Sequence, residues 1–177
     1  MRIYIVRHGE TVENRLHILQ GHLPGTLTLQ GTQQVAQSAA ELEAMGVSFS
    51  CIVSSDLQRA MDSAQIIAQR LHLPVVPMRA LRERDWGQFT GMSIAEATKR
   101  FRIDGRWRFP AGTTETEPEI YERAGKALDE LSHTYPDASV VVVTHGQLAR
   151  NMVAAHRHCS YHEVEPFKNA EIRILEL

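Results

Sequence analysis

Cysteine is nearly absent from this chain. Its two cysteines, Cys51 and Cys159, stand far apart. No export signal is visible, so they read as free thiols rather than a disulfide. Met1-Arg2 leads straight into an apolar stretch, with no signal-peptide core or cleavage site. No apolar run approaches the length needed to span a membrane. A cytoplasmic location is the resulting expectation. A strong excess of one charge is also missing. The formal net charge is −2, which disfavours nucleic acid as a bulk partner. No Gly-x-Gly-x-x-Gly follows a strand and no Walker A sequence occurs, which weakens any nucleotide-cofactor reading. Repeats, low-complexity tracts and linkers are absent too. The chain has nine histidines, and His156, His158, Cys159 and His162 cluster, but their spacing lacks the paired pattern of structural zinc sites. No metal is expected there.

What remains is an ordinary globular composition, 43% hydrophobic and 23% charged in 177 residues. That length suits one domain with a proper core. Ile3 to Val6 is a run of β-branched and aromatic residues, as in a strand buried on both faces. It breaks off in Arg7-His8-Gly9-Glu10-Thr11. Polar residues directly after a buried strand sit at its carboxyl end, where open α/β sheets keep their ligand sites. A cation, an imidazole and a glycine there suit an anion, and His8 is a candidate nucleophile. A turn with a surface histidine is the plainer reading of the same residues.

A helix is predicted from Leu29 to Met45, capped by Thr28 and ended by Gly46. Phe49 to Val53 reads as the second strand. Ser55 or Asp56 then caps a helix carrying Arg59 in its first turn. An arginine beside a helix N-terminus favours an anion; an exposed arginine is the alternative. Val75 to Pro77 reads as a short strand near an edge, since prolines flank it. Ser93 to Glu96 and Thr116 to Glu119 match capping boxes. Between them lies a basic, aromatic stretch. Lys99, Arg100, Arg102, Arg106 and Arg108 alternate with Phe101, Trp107 and Phe109. It reads either as the mouth of an anion pocket or as a solvated face. Ser139 to Val143 is the clearest buried strand, and it ends in Thr144-His145-Gly146. Glu171 to Leu177 suggests a last strand at an edge. Strands alternating with helices predict a mostly parallel sheet covered on both sides. His8, Arg59 and His145 then converge on one rim.

Taken together, Arg7-His8-Gly9-Glu10-Thr11, Asn14, Ser54-Ser55-Asp56-Leu57-x-Arg59-Ala60, Glu83 with Gly87, and Thr144-His145-Gly146 resemble the histidine phosphatase superfamily. Its members include the cofactor-dependent phosphoglycerate mutases and many small phosphomonoesterases. Glu13 stands where a tryptophan often precedes the asparagine, a departure that bears on substrate fit. The resemblance implies an α/β class fold, a three-layer α/β/α sandwich with an antiparallel edge strand. It implies one domain over 1–177, with a small cap-like segment near 83–118. It makes His8 the residue that becomes phosphohistidine, and Glu83 the proton donor to the leaving group. Arg7, Arg59 and His145 become the phosphate pocket, with Asn14 contributing. On chemical grounds, rather than by the resemblance, a protonated His145 is expected to act as a further donor. Gln20, Gly21 and Arg100 are carried as substrate-contacting residues. No cofactor and no metal are implied, because arginines take the electrostatic role. The implied partner is a small phosphomonoester; the oligomeric state stays open. A phosphatase is the leading reading. The stretch between Gly91 and His145 is short for a mutase, which shields its phosphohistidine from water. A phosphoglycerate mutase and a non-catalytic phosphoprotein-binding module are the alternatives.

Overall fold

The computed structural model describes residues 1–177. Seven strands and six α-helices follow one another as β1 (Arg2–Arg7), α1 (Val12–Arg15), α2 (Leu29–Ala44), β2 (Ile52–Ser54), α3 (Gln58–Leu71), β3 (Val75–Pro77), α4 (Ile94–Phe101), β4 (Arg102–Ile103), β5 (Arg106–Trp107), α5 (Glu117–Thr134), β6 (Ser139–Thr144), α6 (Gly146–Arg157) and β7 (Ile172–Glu176). Five strands form the main sheet in the order β3-β2-β6-β1-β7. β1 runs parallel to β6, β6 to β2, and β2 to β3, while β7 lies antiparallel on the outer side of β1. The expected edge positions of β3 and β7 are both found.

The uninterrupted apolar runs of β1 and β6 follow from burial on two faces. Ile3, Ile5, Val140 and Val142 point toward α5 and α6. Tyr4, Val6, Val141 and Val143 point toward α2 and α3. Successive side chains of a strand alternate faces, so each face needs its own apolar set. The result is the predicted three-layer sandwich. No helix is long and apolar enough to cross a membrane.

Local signals acted as expected in several places. Thr28 accepts the Gly31 amide at the start of α2, and Gly46 takes a positive φ just past its end. Thr116 and Glu119 form the reciprocal capping box of α5. Others were displaced by tertiary demands. The second strand begins at Ile52, not Phe49; Ser50 bonds to Ser139, but the paired ladder starts later. Leu57, not Ser55 or Asp56, is the N-cap of α3, and it makes no side-chain cap bond. The Ser55 hydroxyl is engaged by His145, and the Asp56 carboxylate by Arg82. Ser93 caps α4, but Glu96 does not return the bond; its carboxylate pairs with Arg100.

Between β3 and α5 the chain makes an excursion with its own apolar cluster. Leu19, Trp86, Phe89 and Ala97 are buried there, packed against Phe101, Trp107 and Phe109. The β4–β5 hairpin, absent from the sequence reading, turns through Asp104 and Gly105, both at positive φ.

Candidate active site

Three parallel strands end side by side, and each delivers a charged or polar side chain to the same place. His8 follows β1, Ser55 and Arg59 follow β2, and His145 follows β6. His8 and His145 are buried, with ring centroids 5.1 Å apart. Arg59 is 1% exposed, and no larger side chain is so fully enclosed. The exposed-arginine and surface-histidine readings are therefore discarded.

The hydrogen bonds define the chemistry of His8. Its Nδ1 lies 2.7 Å from the Gly9 carbonyl oxygen, which can only accept. The proton is thus on Nδ1. Its Nε2 accepts from Arg59 Nε at 3.2 Å, so a lone pair sits on Nε2 and faces a guanidinium. The remaining Arg59 nitrogens donate to the carbonyls of Leu23 and Gly21. Arg7 donates to the Phe167 carbonyl at 2.7 Å, and its Nε is buried without a partner. Gly146 makes room for that guanidinium: a Cβ there would come within 3.4 Å of Arg7 Nε. His145 Nε2 lies 2.7 Å from the Ser55 hydroxyl, and its Nδ1 is buried and unpartnered.

Glu83 approaches from the excursion and is held by α6. Its carboxylate accepts from the backbone amides of Arg84, Gln147 and Leu148, at 2.9, 3.2 and 3.3 Å. Asn14 is the third residue of α1. Its Oδ1 accepts from the Thr11 amide and from Asn169 Nδ2. Arg7, His8, Asn14, Gln20, Gly21, Arg59 and Glu83 all line one cavity of about 300 Å³, with Trp86, Ile94, Trp107, Gln147 and Arg150 among the other walls.

Comparison with known proteins identifies the family. The family model described as histidine phosphatase superfamily (branch 1) matches residues 3–177. The chain belongs to the histidine phosphatase superfamily. Within it, phosphoglycerate mutase-like protein 4 of Arabidopsis thaliana is 35% identical, over 99% of this chain and 79% of that protein. An uncharacterized phosphatase, PhoE of Bacillus subtilis, is also 35% identical, over 81% of this chain and 71% of its own length. Among solved structures, a mycobacterial glucosyl-3-phosphoglycerate phosphatase complexed with VO3 superposes with a TM-score of 0.86 at 29% identity, covering 99% of this chain and 92% of that one.

In this histidine phosphatase superfamily member, burial sets the ionisation of the site. It drives both His8 and His145 well below the usual 6.5, and the Arg59 and Arg7 charges push the same way. Both rings are neutral, so the expectation of a protonated His145 is corrected. Burial also lowers Arg59 to about 10, still a cation at neutral pH. One consequence concerns stability. Unfolded histidines take up protons near pH 6.5, while these two stay neutral in the fold. The unfolded chain then binds more protons, so stability falls as pH drops below about 6.5 toward their folded values, and is unaffected above. The depressed carboxylates Glu10, Asp56 and Glu171 act only at lower pH. The melting temperature is expected to fall between pH 7.5 and 5.5, with a shallower slope for His145→Asn. Equal slopes for the two proteins would contradict the buried neutral imidazole.

Two predicted residues are absent from the cavity walls: His145, which is fully buried behind them, and Arg100. Arg100 pairs with Glu96 at 2.9 Å and lies over Phe101, outside the walls. Four contributors escaped the sequence reading. Ser55 sets His145, and Ser63 accepts from the Gly9 amide. Asn169 donates to the His8 carbonyl and to Asn14. Trp86 supplies wall, with Arg84 lying 4.5 Å over its ring. Only Ser55 carried a signal, as part of the polar strand end. A second, larger cavity of about 890 Å³ lies behind Glu83, against His22, Arg82, Asp85, Glu115 and Arg123. Two of its arginines are paired, Arg123 with Glu115 and Arg82 with Asp56. No group of three or more histidine, cysteine, aspartate or glutamate side chains is placed to hold a metal ion.

Proposed function

We propose that this chain hydrolyses small phosphomonoesters through a phosphohistidine on His8. The observation that carries the reading is the His8 Nε2 lone pair, fixed by the Nδ1–Gly9 bond and set against Arg59. A phosphate ester near neutral pH carries close to two negative charges. Arg7 and Arg59 offset them with forked donors and stabilise the charge on the equatorial oxygens during transfer. They take the electrostatic part that a divalent ion has in other phosphoryl-transfer sites. Arrival of the phosphate displaces the Arg59 N–H from His8 and frees the lone pair to attack.

In the first step, Nε2 forms a bond to phosphorus while the ester P–O bond breaks. The leaving oxygen takes a proton from Glu83. The imidazole keeps its Nδ1 proton, and the Gly9 carbonyl stabilises the charge that develops on the ring. In the second step, water attacks phosphorus and gives its proton to the Glu83 carboxylate. The P–Nε2 bond breaks and inorganic phosphate leaves. Relatives carrying phosphatase names support hydrolysis.

Phosphoglycerate mutase-type transfer is the second reading, favoured by the mutase-like relative. It shares the first step and differs in the acceptor, a hydroxyl in place of water. Mutase activity with a bisphosphoglycerate primer, exceeding hydrolysis, would select it. A binding module without chemistry fits poorly, because His8 is 2% exposed at the base of a cavity too small for a folded partner.

The acid role of Glu83 is tested with leaving groups. Glu83→Gln is expected to slow an alkyl phosphate about 10²–10⁴-fold, the range for general acid catalysis. p-Nitrophenyl phosphate, whose leaving group needs little help, loses far less. Equal losses for the two esters would remove Glu83 from that role.

A further inference from the structure

Ser55 and His145 meet because two parallel strands end side by side. β2 and β6 pair with Ser54 opposite Val143, and the Ser55 amide donates to the Val143 carbonyl at 2.9 Å. Just past that bond, Ser55 stands beside the residues that follow Val143. Ser55 and His145 are both 0% exposed, so bulk water satisfies neither side chain. Their polar atoms have to be matched inside the protein.

The Ser55 hydroxyl has two hydrogen-bonding neighbours. The Leu57 amide donates to its oxygen at 3.3 Å, and His145 Nε2 lies 2.7 Å away. An amide N–H can only donate. The hydroxyl proton therefore has one acceptor, a lone pair on Nε2. A neutral imidazole with its lone pair on Nε2 carries its proton on Nδ1. The opposite tautomer fares worse. With the proton on Nε2, the Ser55 O–H would have no acceptor and the Nδ1 lone pair no donor. Two buried groups would then go unsatisfied instead of one.

That one is the Nδ1–H, which has no partner in the protein. Arg7 Nε is a second buried donor without a partner. The two are neighbours in the fold, since Arg7 lies against Gly146, the residue after His145. The charges of Arg59 and Arg7 both act on the His145 ring, whose centroid is 5.1 Å from that of His8. The acceptor that answers Nδ1–H is then the anion these three side chains hold. A lone pair in the same place would repel it.

We infer that Ser55 is a positioning residue: its hydroxyl donates to His145 Nε2 and so keeps the ring proton on Nδ1, where it serves as a hydrogen-bond donor to a phosphoryl oxygen. Ser55 itself touches no reacting atom. The two imidazoles of the site are thus set in complementary ways. The Gly9 carbonyl leaves His8 with a lone pair to offer, and the Ser55 hydroxyl leaves His145 with a proton to offer. The donor role rests on the phosphate-binding reading above. The tautomer does not, and it is readable in the free protein.

The test uses protein labelled with ¹⁵N-histidine. Two-bond correlations from the ring carbon protons to both nitrogens tell a protonated nitrogen from a bare one. The His145 signals are assigned by their loss in His145→Asn. The unaltered protein is expected to show one His145 tautomer, protonated on Nδ1. Saturating inorganic phosphate is expected to shift the Nδ1 resonance and leave Nε2 bare. In Ser55→Ala, Nε2 takes up the proton in part or in whole, and phosphate binds about tenfold more weakly or worse, as suits a lost hydrogen bond to a charged group. Ser54→Ala is the control. It removes an equally buried hydroxyl, one that donates to the Ser55 carbonyl, and is expected to leave the tautomer and the phosphate affinity intact. In a His145→Asn background, Ser55→Ala is expected to cost no further affinity, because no ring is left to orient. The inference is overturned by a proton on Nε2 in the unaltered protein, by a Ser55→Ala protein that keeps it on Nδ1, or by losses for Ser55→Ala and His145→Asn that simply add. An Nδ1 resonance indifferent to bound phosphate also overturns it. Should Ser55→Ala not fold, the tautomer of the unaltered protein decides. A protein protonated on Nδ1 that binds no phosphate sinks the phosphate-binding reading, and the donor role with it, while the tautomer assignment stands.

Discussion

His8→Ala is expected to abolish turnover, by about 10⁴-fold or more, in a protein that still folds. The alanine has no nucleophile, and nothing nearby can replace it. The His145 ring lies with its centroid 5.1 Å from that of His8, and its Nε2 is held by Ser55. The structural cost is moderate. Arg59 Nε loses its acceptor while its other nitrogens keep the Leu23 and Gly21 carbonyls. A buried donor left unsatisfied costs about 1–3 kcal/mol. Cooperative melting with a modestly lowered midpoint is the expected result, alongside loss of acid-labile phosphate label on the protein. Substantial phosphatase activity in this variant would end the nucleophile assignment. So would an unaltered protein that never takes up label.

Gly31→Ala is expected to carry a large stability loss for a single methyl addition near the site. Gly31 lies in the first turn of α2, where alanine ordinarily gains about 1 kcal/mol over glycine. Here the sign reverses. A Cβ on Gly31 would stand 2.0 Å from the Glu10 carbonyl oxygen and 2.7 Å from its amide nitrogen. Both are backbone atoms and cannot swing aside. Gly9 is the reciprocal case, its Cβ falling 2.4 Å from the Gly31 carbonyl oxygen. The two glycines let the chain leaving β1 rest directly on the start of α2. Separating them costs about 3 kcal/mol or more, by analogy with overpacked cores. At this size that lowers the melting temperature by roughly 6–12 °C. Activity falls with it, because Glu10 and Gly9 carry His8. Gly46→Ala is the control. It lies just past the other end of α2, and its Cβ would meet nothing within 4 Å, so only its positive φ is penalised. A smaller loss for Gly31→Ala than for Gly46→Ala would refute the close-contact argument.

How much of this was legible beforehand depended on which physical term dominated each residue. β1 and β6 were plain because burial on two faces leaves no polar position in the run. The convergence of His8, Arg59 and His145 followed from parallel strands sharing a carboxyl edge, which needs only element order. Glu83 was different. It comes after the short edge strand β3, past a turn at Arg79–Leu81, and only the family resemblance pointed to it; the amides of Gln147 and Leu148 that hold it are far away in sequence. Asn169 had no signal at all, since it lies in a loop without periodicity. The caps failed where a more distant charge claimed the side chain, as Arg82 claims Asp56. Arg100 failed for a similar reason, because its partner Glu96 is one helical turn away. The β4–β5 hairpin had a good turn signal in Asp104-Gly105, but strands of two residues are too short to show alternation.

The position of β1 in the sheet has a kinetic consequence. Its only ladder partners are β6 and β7, so Ile3 must find Val140 on one side and Leu175 on the other. Nearly the whole polypeptide has to be looped before those pairings form, and such high contact order makes for slow folding. During synthesis the histidine that defines the site emerges long before β6 and β7, so its strand waits unpaired until both have followed.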